Sequence, residues 1–228
     1  MAMETRSFLF LVMFLQWALL LCDGTALSLR YPSDKGSIIP ELEGYEIRRY
    51  NASIWVSTAP ILDTSFESAT RGGFFRLFNY IDGSNFEHRK IAMTAPVLTG
   101  VVPSSGPVCA SAFIVRFFFS ESSSHEYPPI PESKLNLNIE RWSSRCFAVR
   151  TFSGFATDEN VPQEAYSLLR SLAGSPWAGI SKSESRATSE TYTIAQYNSP
   201  FDVIERVNEV WFNIETSRAD CQLKPSQL

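Results

Sequence analysis

The chain has 228 residues, of which 44% are hydrophobic, and carries 20 basic against 24 acidic side chains. That length and apolar content suffice for one domain with a buried core. A mildly acidic chain without a basic cluster lacks the electrostatic footprint of a nucleic-acid binder, which excludes RNA or DNA as its main partner.

Arg6 precedes an apolar run over residues 8–21, and small residues follow at Gly24 and Ala26. This order reads as a secretory signal peptide over residues 1–24. The run is short of the roughly 20 residues that a membrane span needs, and no other run is longer and as apolar. A secretory leader implies an oxidising compartment, extracellular or an endomembrane lumen. Cys22 would leave with the leader, while Cys109, Cys146 and Cys221 would remain. One disulfide and one free thiol are expected, and spacing does not choose among the three pairings. Residues 25–44 read as an extension, 45–216 as the folded domain and 217–228 as a tail.

Residues 45–58 are rich in aromatic and β-branched types and predict a strand. They include the glycosylation sequon Asn51-Ala52-Ser53. Thr64 and Glu67 form a capping-box pattern, so a helix should start there and run to about Ile81, stopping near Gly83. Gly72 and Gly73 interrupt it and suggest close packing against another part of the chain. Strands follow over 91–102 and 110–120, the second a continuous apolar run. Two more are expected over 136–141 and 145–155. Asn160 caps a second helix, with Pro162 in its first turn, an apolar stripe of Ala165, Leu168, Leu169 and Leu172, and a stop at Gly174. Strands over 191–197 and 209–214 complete the chain.

The two halves share the order strand, helix, strand, strand. Ile47-Arg48-Arg49-Tyr50 aligns with Val149-Arg150-Thr151-Phe152, and the Met93-Thr94-Ala95-Pro96-Val97 segment is echoed by Tyr197-Asn198-Ser199-Pro200-Phe201. One such unit would leave strand edges and a sheet face open, so two should close on each other. The fold expected is α+β: a distorted antiparallel β-barrel of two β-α-β-β units with two external helices.

The segments Y-E-I-R-R-Y (45–50), W-V-S-T (55–58), M-T-A-P-V (93–97), Y-N-S-P (197–200) and N-E-V-W (208–211), in that order, resemble the SOUL haem-binding protein family. The resemblance covers residues 45–215. It implies the same distorted barrel, related to effector-binding modules of some bacterial regulators, and a reversible small-molecule partner: haem or another tetrapyrrole. On the first helix, Phe66, Ala69, Gly73, Leu77 and Tyr80 fall on one face, expected against the sheet. Phe74, Phe75 and Phe78 fall on a second face with Arg71 among them, which reads either as core covered by a loop or as an apolar shelf with one cation for a ring and its carboxylates. Arg71 matches a basic position that the resemblance associates with propionates. Phe201 and Val203 would close the pocket from the second half, with Arg206 nearby as a second cation for a carboxylate.

Some positions depart from the family pattern. Asn79 stands where some members have lysine, and Asp202 stands at a second basic position. Arg49 replaces a histidine that some members carry as a proposed iron ligand. His88 and His125 read as loop residues, and nothing near Cys109 or Tyr50 supports a role on iron. No clear axial ligand is expected, so the ring would be held by apolar contact. No P-loop, HExxH or nucleophile-elbow pattern is present, which favours binding over catalysis. The alternative is a protein-interaction module on the same fold that has lost haem binding, with Pro128-Pro129-Ile130-Pro131 either docking as an extended segment or stiffening a connector.

Overall fold

The computed structural model describes residues 29–30, 33–34, 44–102, 111–120, 127–175, 177, 190–199, 202, 204–214 and 221. Two short strands come first, β1 (Leu29–Arg30) and β2 (Ser33–Asp34). The long strand expected over 45–58 is two, β3 (Glu46–Tyr50) and β4 (Ser53–Thr58), broken at Asn51-Ala52. Then come β5 (Ile61–Asp63), helix α1 (Phe66–Ile81), β6 (Thr94–Ala95), β7 (Val97–Val102) and β8 (Ser111–Phe119). The second half holds β9 (Leu137–Trp142), β10 (Arg145–Ser153), α2 (Asn160–Ala173), β11 (Tyr192–Gln196) and β12 (Val207–Ile214).

The main sheet runs β2-β3-β10-β12-β11-β7-β8-β4-β9, antiparallel throughout, with β5 added beside β8. The break between β3 and β4 has a topological reason. β3 pairs with β10 and β4 pairs with β9, so the chain steps from one half of the sheet to the other at Asn51-Ala52. Ser143-Ser144 makes the same step between β9 and β10. Each broken strand therefore lends its first part to the other half. The result is the expected distorted barrel with its two helices outside.

The internal alignment of the halves needs correcting. β4 pairs with β8 and β10 pairs with β12, so β4 and β10 are the equivalent strands. Ile47 lies directly opposite Ala148 instead, which makes the segment 47–50 a partner of β10 and not its repeat. An alternating pattern looks alike in both relations. The proline echo has a similar origin. Pro96 precedes β7, whereas Tyr197 follows β11, and the pairing of Val97 with Gln196 brings both segments to the same end of the sheet.

Three apolar clusters hold the layers together. Tyr50, Trp55, Leu98, Trp142, Phe147 and Trp211 fill the barrel interior. Leu77, Tyr80, Val115 and Phe117 join α1 to the sheet, and Val161, Ala165, Leu168 and Leu172 do the same for α2. Each such side chain contributes about 1.5–3 kcal/mol of burial. Two arginines of the sheet, the buried Arg116 and the half-buried Arg48, are paired with carboxylates. Arg116 meets both Glu140, at 2.9 Å, and Glu190. Arg48 meets Glu209 at 2.7 Å, and Glu209 also accepts from Tyr197 Oη and Trp211 Nε1. Cys146 and Cys221 form a disulfide, which ties residue 221 to β10; Cys109 lies outside the described residues.

Candidate functional site

Helix α1 begins one residue later than its capping pattern suggests. Ser65, not Thr64, is the N-cap, and its Oγ accepts from Ser68 N at 3.0 Å. The remaining first-turn donors are met from the other half of the protein. Asp158, just before α2, accepts from Phe66 N at 2.5 Å, from Glu67 N at 3.4 Å and from Ser65 Oγ at 2.7 Å. Glu67 returns the contact by accepting from Asp158 N at 3.2 Å. This is a reciprocal cap built across two repeats, in place of the local one expected between Thr64 and Glu67. Asp63 accepts from Ser65 N, and backbone bonding by Ser65 is the first reason its carboxyl sits below the usual range.

The cap at α2 also differs from expectation. Asn160 is the first helical residue, with Glu159 at the cap position. Asn160 Oδ1 accepts from Thr157 N at 2.8 Å, and Thr157 Oγ1 accepts from Asn160 N at 3.2 Å. That exchange fixes the turn which presents Asp158 to α1.

Downstream of its cap, α1 buries the predicted face: Phe66, Ala69, Gly73, Leu77 and Tyr80. Gly73 is required there, because a Cβ at this position would stand 2.7 Å from Val115 Cβ and 3.2 Å from Ile61 Cδ1. Phe74 and Phe78 lie half-buried beside that face, their rings 6.0 Å apart and nearly parallel, with Phe74 edge-on to Phe117. Phe75 turns outward, edge-to-face with Phe74 at 5.8 Å, and remains 44% exposed. The three aromatics thus form a ladder from core to surface.

At the outer end of that ladder is an open depression of about 480 Å³, lined by Ser65, Glu67, Ser68, Arg71, Gly72, Phe75 and Asp158. Its size falls within the range of small-molecule sites, roughly 300–1,000 Å³. The Asp158 carboxylate is engaged by amides at the α1 N-terminus, where the backbone dipole also favours negative charge, and Glu67 accepts from Asp158 N. Arg71 makes no hydrogen bond or ion pair with another described residue, and it stands one turn before Phe75. The depression therefore offers one apolar ring, one guanidinium without a partner among the described residues, and the Ser68 hydroxyl, since that of Ser65 is committed to Asp158. That set can take a flat apolar molecule carrying a carboxylate.

Of the sequence candidates, Arg71 and Phe75 line this depression, with Phe74 and Phe78 behind Phe75. Phe201 and Val203 lie outside the described residues. Arg206 is 5% exposed and holds a loop: Nη1 donates to the carbonyl oxygens of Ser199, at 2.7 Å, and Asp202, at 2.5 Å. Its guanidinium lies 4.4 Å from the Phe155 ring, and burial lowers its pKa more than Asp202 raises it. It does not line the depression. Arg49 donates to Ser144 Oγ, Tyr50 packs at 4.7 Å on Trp211, and His88 is exposed in a turn. Pro128 and Pro129 are buried and Tyr80 Oη donates to the Pro129 carbonyl at 2.8 Å, while Ile130 is exposed. Among the described residues no cluster of three or more His, Cys, Asp or Glu side chains could hold a metal ion.

Two features of the site escaped the sequence. Asp158 carried a signal, an acidic residue before a helix, but that signal points to its own helix rather than to α1. Gly72 was grouped with Gly73, although a Cβ on Gly72 would meet nothing within 4 Å.

Residues 37–213 match the SOUL heme-binding protein family. The chain is 33% identical to human Heme-binding protein 2 over 181 residues, which is 79% of this chain and 81% of that protein. The mouse protein of the same name is also 33% identical, over 81% and 85% of the two chains. Heme-binding protein 1 of Xenopus laevis is 27% identical, over 74% and 82%. Among solved structures, a chain of the EcmrR–DNA complex superposes with a TM-score of 0.50 at 11% identity, covering 75% of this chain and 57% of that one. That likeness concerns the fold alone.

Proposed function

Because the chain belongs to the SOUL heme-binding protein family, we propose that it binds a tetrapyrrole, haem or a porphyrin, reversibly in the depression on α1. The role is carriage, buffering or sensing in the secretory pathway, without chemistry performed on the ligand. The observation that carries the reading is an uncommitted arginine one turn from an exposed phenylalanine, in a depression of suitable size. Phe75 supplies an apolar face, and Phe74 and Phe78 keep its ring in place. Arg71 supplies a charge-assisted partner for a carboxylate, the stronger kind of hydrogen bond.

The fit is to the macrocycle's face and edge. Among the described residues lining the depression there is no imidazole or thiol, and the contacts they offer haem there are apolar and carboxylate-binding. When bound, the group supplies an extended flat pigment surface with redox-active iron. The protein's share is to bind it, orient its charged edge and shield one face from water. Titrating the full chain with haem should give a saturable, shifted Soret band. A spectrum identical to that of free haem would remove the proposal.

A further inference from the structure

Two adjacent glycines interrupt α1, and the protein's own packing explains only one. Gly73 lies tight against Val115. Gly72 faces open space, is exposed and lines the depression. A glycine inside an exposed helix is unfavourable relative to alanine. Gly72 ends no helix, its φ is not positive, and no neighbour demands a bare Cα. Among the described residues nothing accounts for it, which points to something beyond the fold that approaches the helix backbone closely.

What surrounds it indicates the kind of molecule. Arg71 precedes it, Phe75 stands nearly one turn on, and Ser68 lies one turn back. Toward the helix N-terminus the depression ends at Glu67 and Asp158. Their charges would repel an anion approaching from that side. Resting on the tetrapyrrole reading, we propose that Gly72 is a ligand-contact and specificity-determining position. The flat face of the macrocycle lies on the α1 backbone at Gly72, beside Phe75. Its carboxylates are confined to the edge at Arg71, and the edge toward Glu67 and Asp158 is uncharged. The ligand class is a planar macrocycle with carboxylates on one edge only.

The test titrates the full chain and its Gly72→Leu and Gly72→Ala variants with haem, and the unaltered chain with a porphyrin bearing carboxylates on all four sides. Leucine is a good helix former, so Gly72→Leu should melt no lower than the unaltered protein while filling the bare patch. Its Kd for haem should rise about tenfold or more, and that of Gly72→Ala about two- to fivefold. The four-sided carboxylate should bind about tenfold more weakly than haem. Should Gly72→Leu fail to fold, Gly72→Ala decides by the same measure. A chain that shows no saturable haem binding ends the tetrapyrrole reading and this inference with it. If the chain binds haem and the Gly72 variants bind equally well, only this inference falls. Equal affinity for the four-sided carboxylate would overturn the one-edge assignment.

Discussion

Replacing Gly73 by alanine should destabilise the protein, although alanine is the better helix former. The added Cβ would stand 2.7 Å from Val115 Cβ, inside van der Waals contact, and 3.2 Å from Ile61 Cδ1. Val115 is wholly buried in the centre of β8, and its branched side chain has little rotamer freedom to yield. The helix must therefore lift from the sheet. Overpacking of this kind costs about 1–3 kcal/mol, against about 1 kcal/mol regained in helix propensity. With Val115 atoms this close the cost falls in the upper part of that range, about 2–3 kcal/mol, so the net loss should be about 1–2 kcal/mol, or about 2–8 °C in Tm for a protein of this size. Gly72→Ala is the internal control: with open space above it, the same change should stabilise by about 0.5–1 kcal/mol. Urea unfolding of the three proteins, followed by tryptophan fluorescence, measures both. A Gly73→Ala protein as stable as the unaltered one would refute the close approach of α1 to β8.

Asp158→Ala should cost about 1–2 kcal/mol, the value of a helix cap, even though the residue precedes α2, because its carboxylate serves α1. Asp158→Asn should keep part of that, and equal stability of all three proteins in urea would contradict the cross-repeat cap. Acid should also weaken the fold through Glu140. Burial is the largest influence on this carboxyl and opposes its ionisation, but the Arg116 charge and hydrogen bonds from Arg116, Ser57 and Trp142 together outweigh it and hold the pKa below the usual value. A carboxyl depressed in the folded state stabilises above its unfolded pKa, about 4.3 for glutamate. That contribution is lost as pH falls through the folded value. Unfolding free energies measured from pH 6 down to pH 3 should therefore decline more steeply for the unaltered protein than for Glu140→Gln; parallel declines would contradict the assignment.

Much of the fold was legible because the main signals are local and periodic. The strand and helix order, the buried face of α1 and the stop at Gly174 follow from patterns that tertiary contacts reinforce. What was not legible depends on partners distant in sequence. Asn51-Ala52 carries no strong break signal, yet the chain changes sheet halves there because β10 and β9 lie on different sides of it. Thr64 and Ser65 are both acceptable caps, and the choice between them falls to Ser65 beside Asp158, 93 positions away. At the site, helical spacing separated Arg71 and the phenylalanines from the buried face. It could not show that Phe74 packs on Phe117 and Phe78 on Phe74, while of the three only Phe75 stands at the depression. Arg206 was expected at the pocket, and the backbone carbonyls that hold it instead are acceptors which no side-chain pattern announces.

The most direct measurement is the haem dissociation constant of Arg71→Glu beside that of the unaltered chain, read from absorbance titrations under matched salt. Arg71 is exposed, so its pair with a carboxylate is worth about 1 kcal/mol, and reversing the charge adds a similar amount of repulsion. If Arg71 holds the ligand's carboxylate, the charge reversal should raise Kd about 5- to 30-fold and leave thermal stability unchanged. Equal dissociation constants for the two proteins would contradict it.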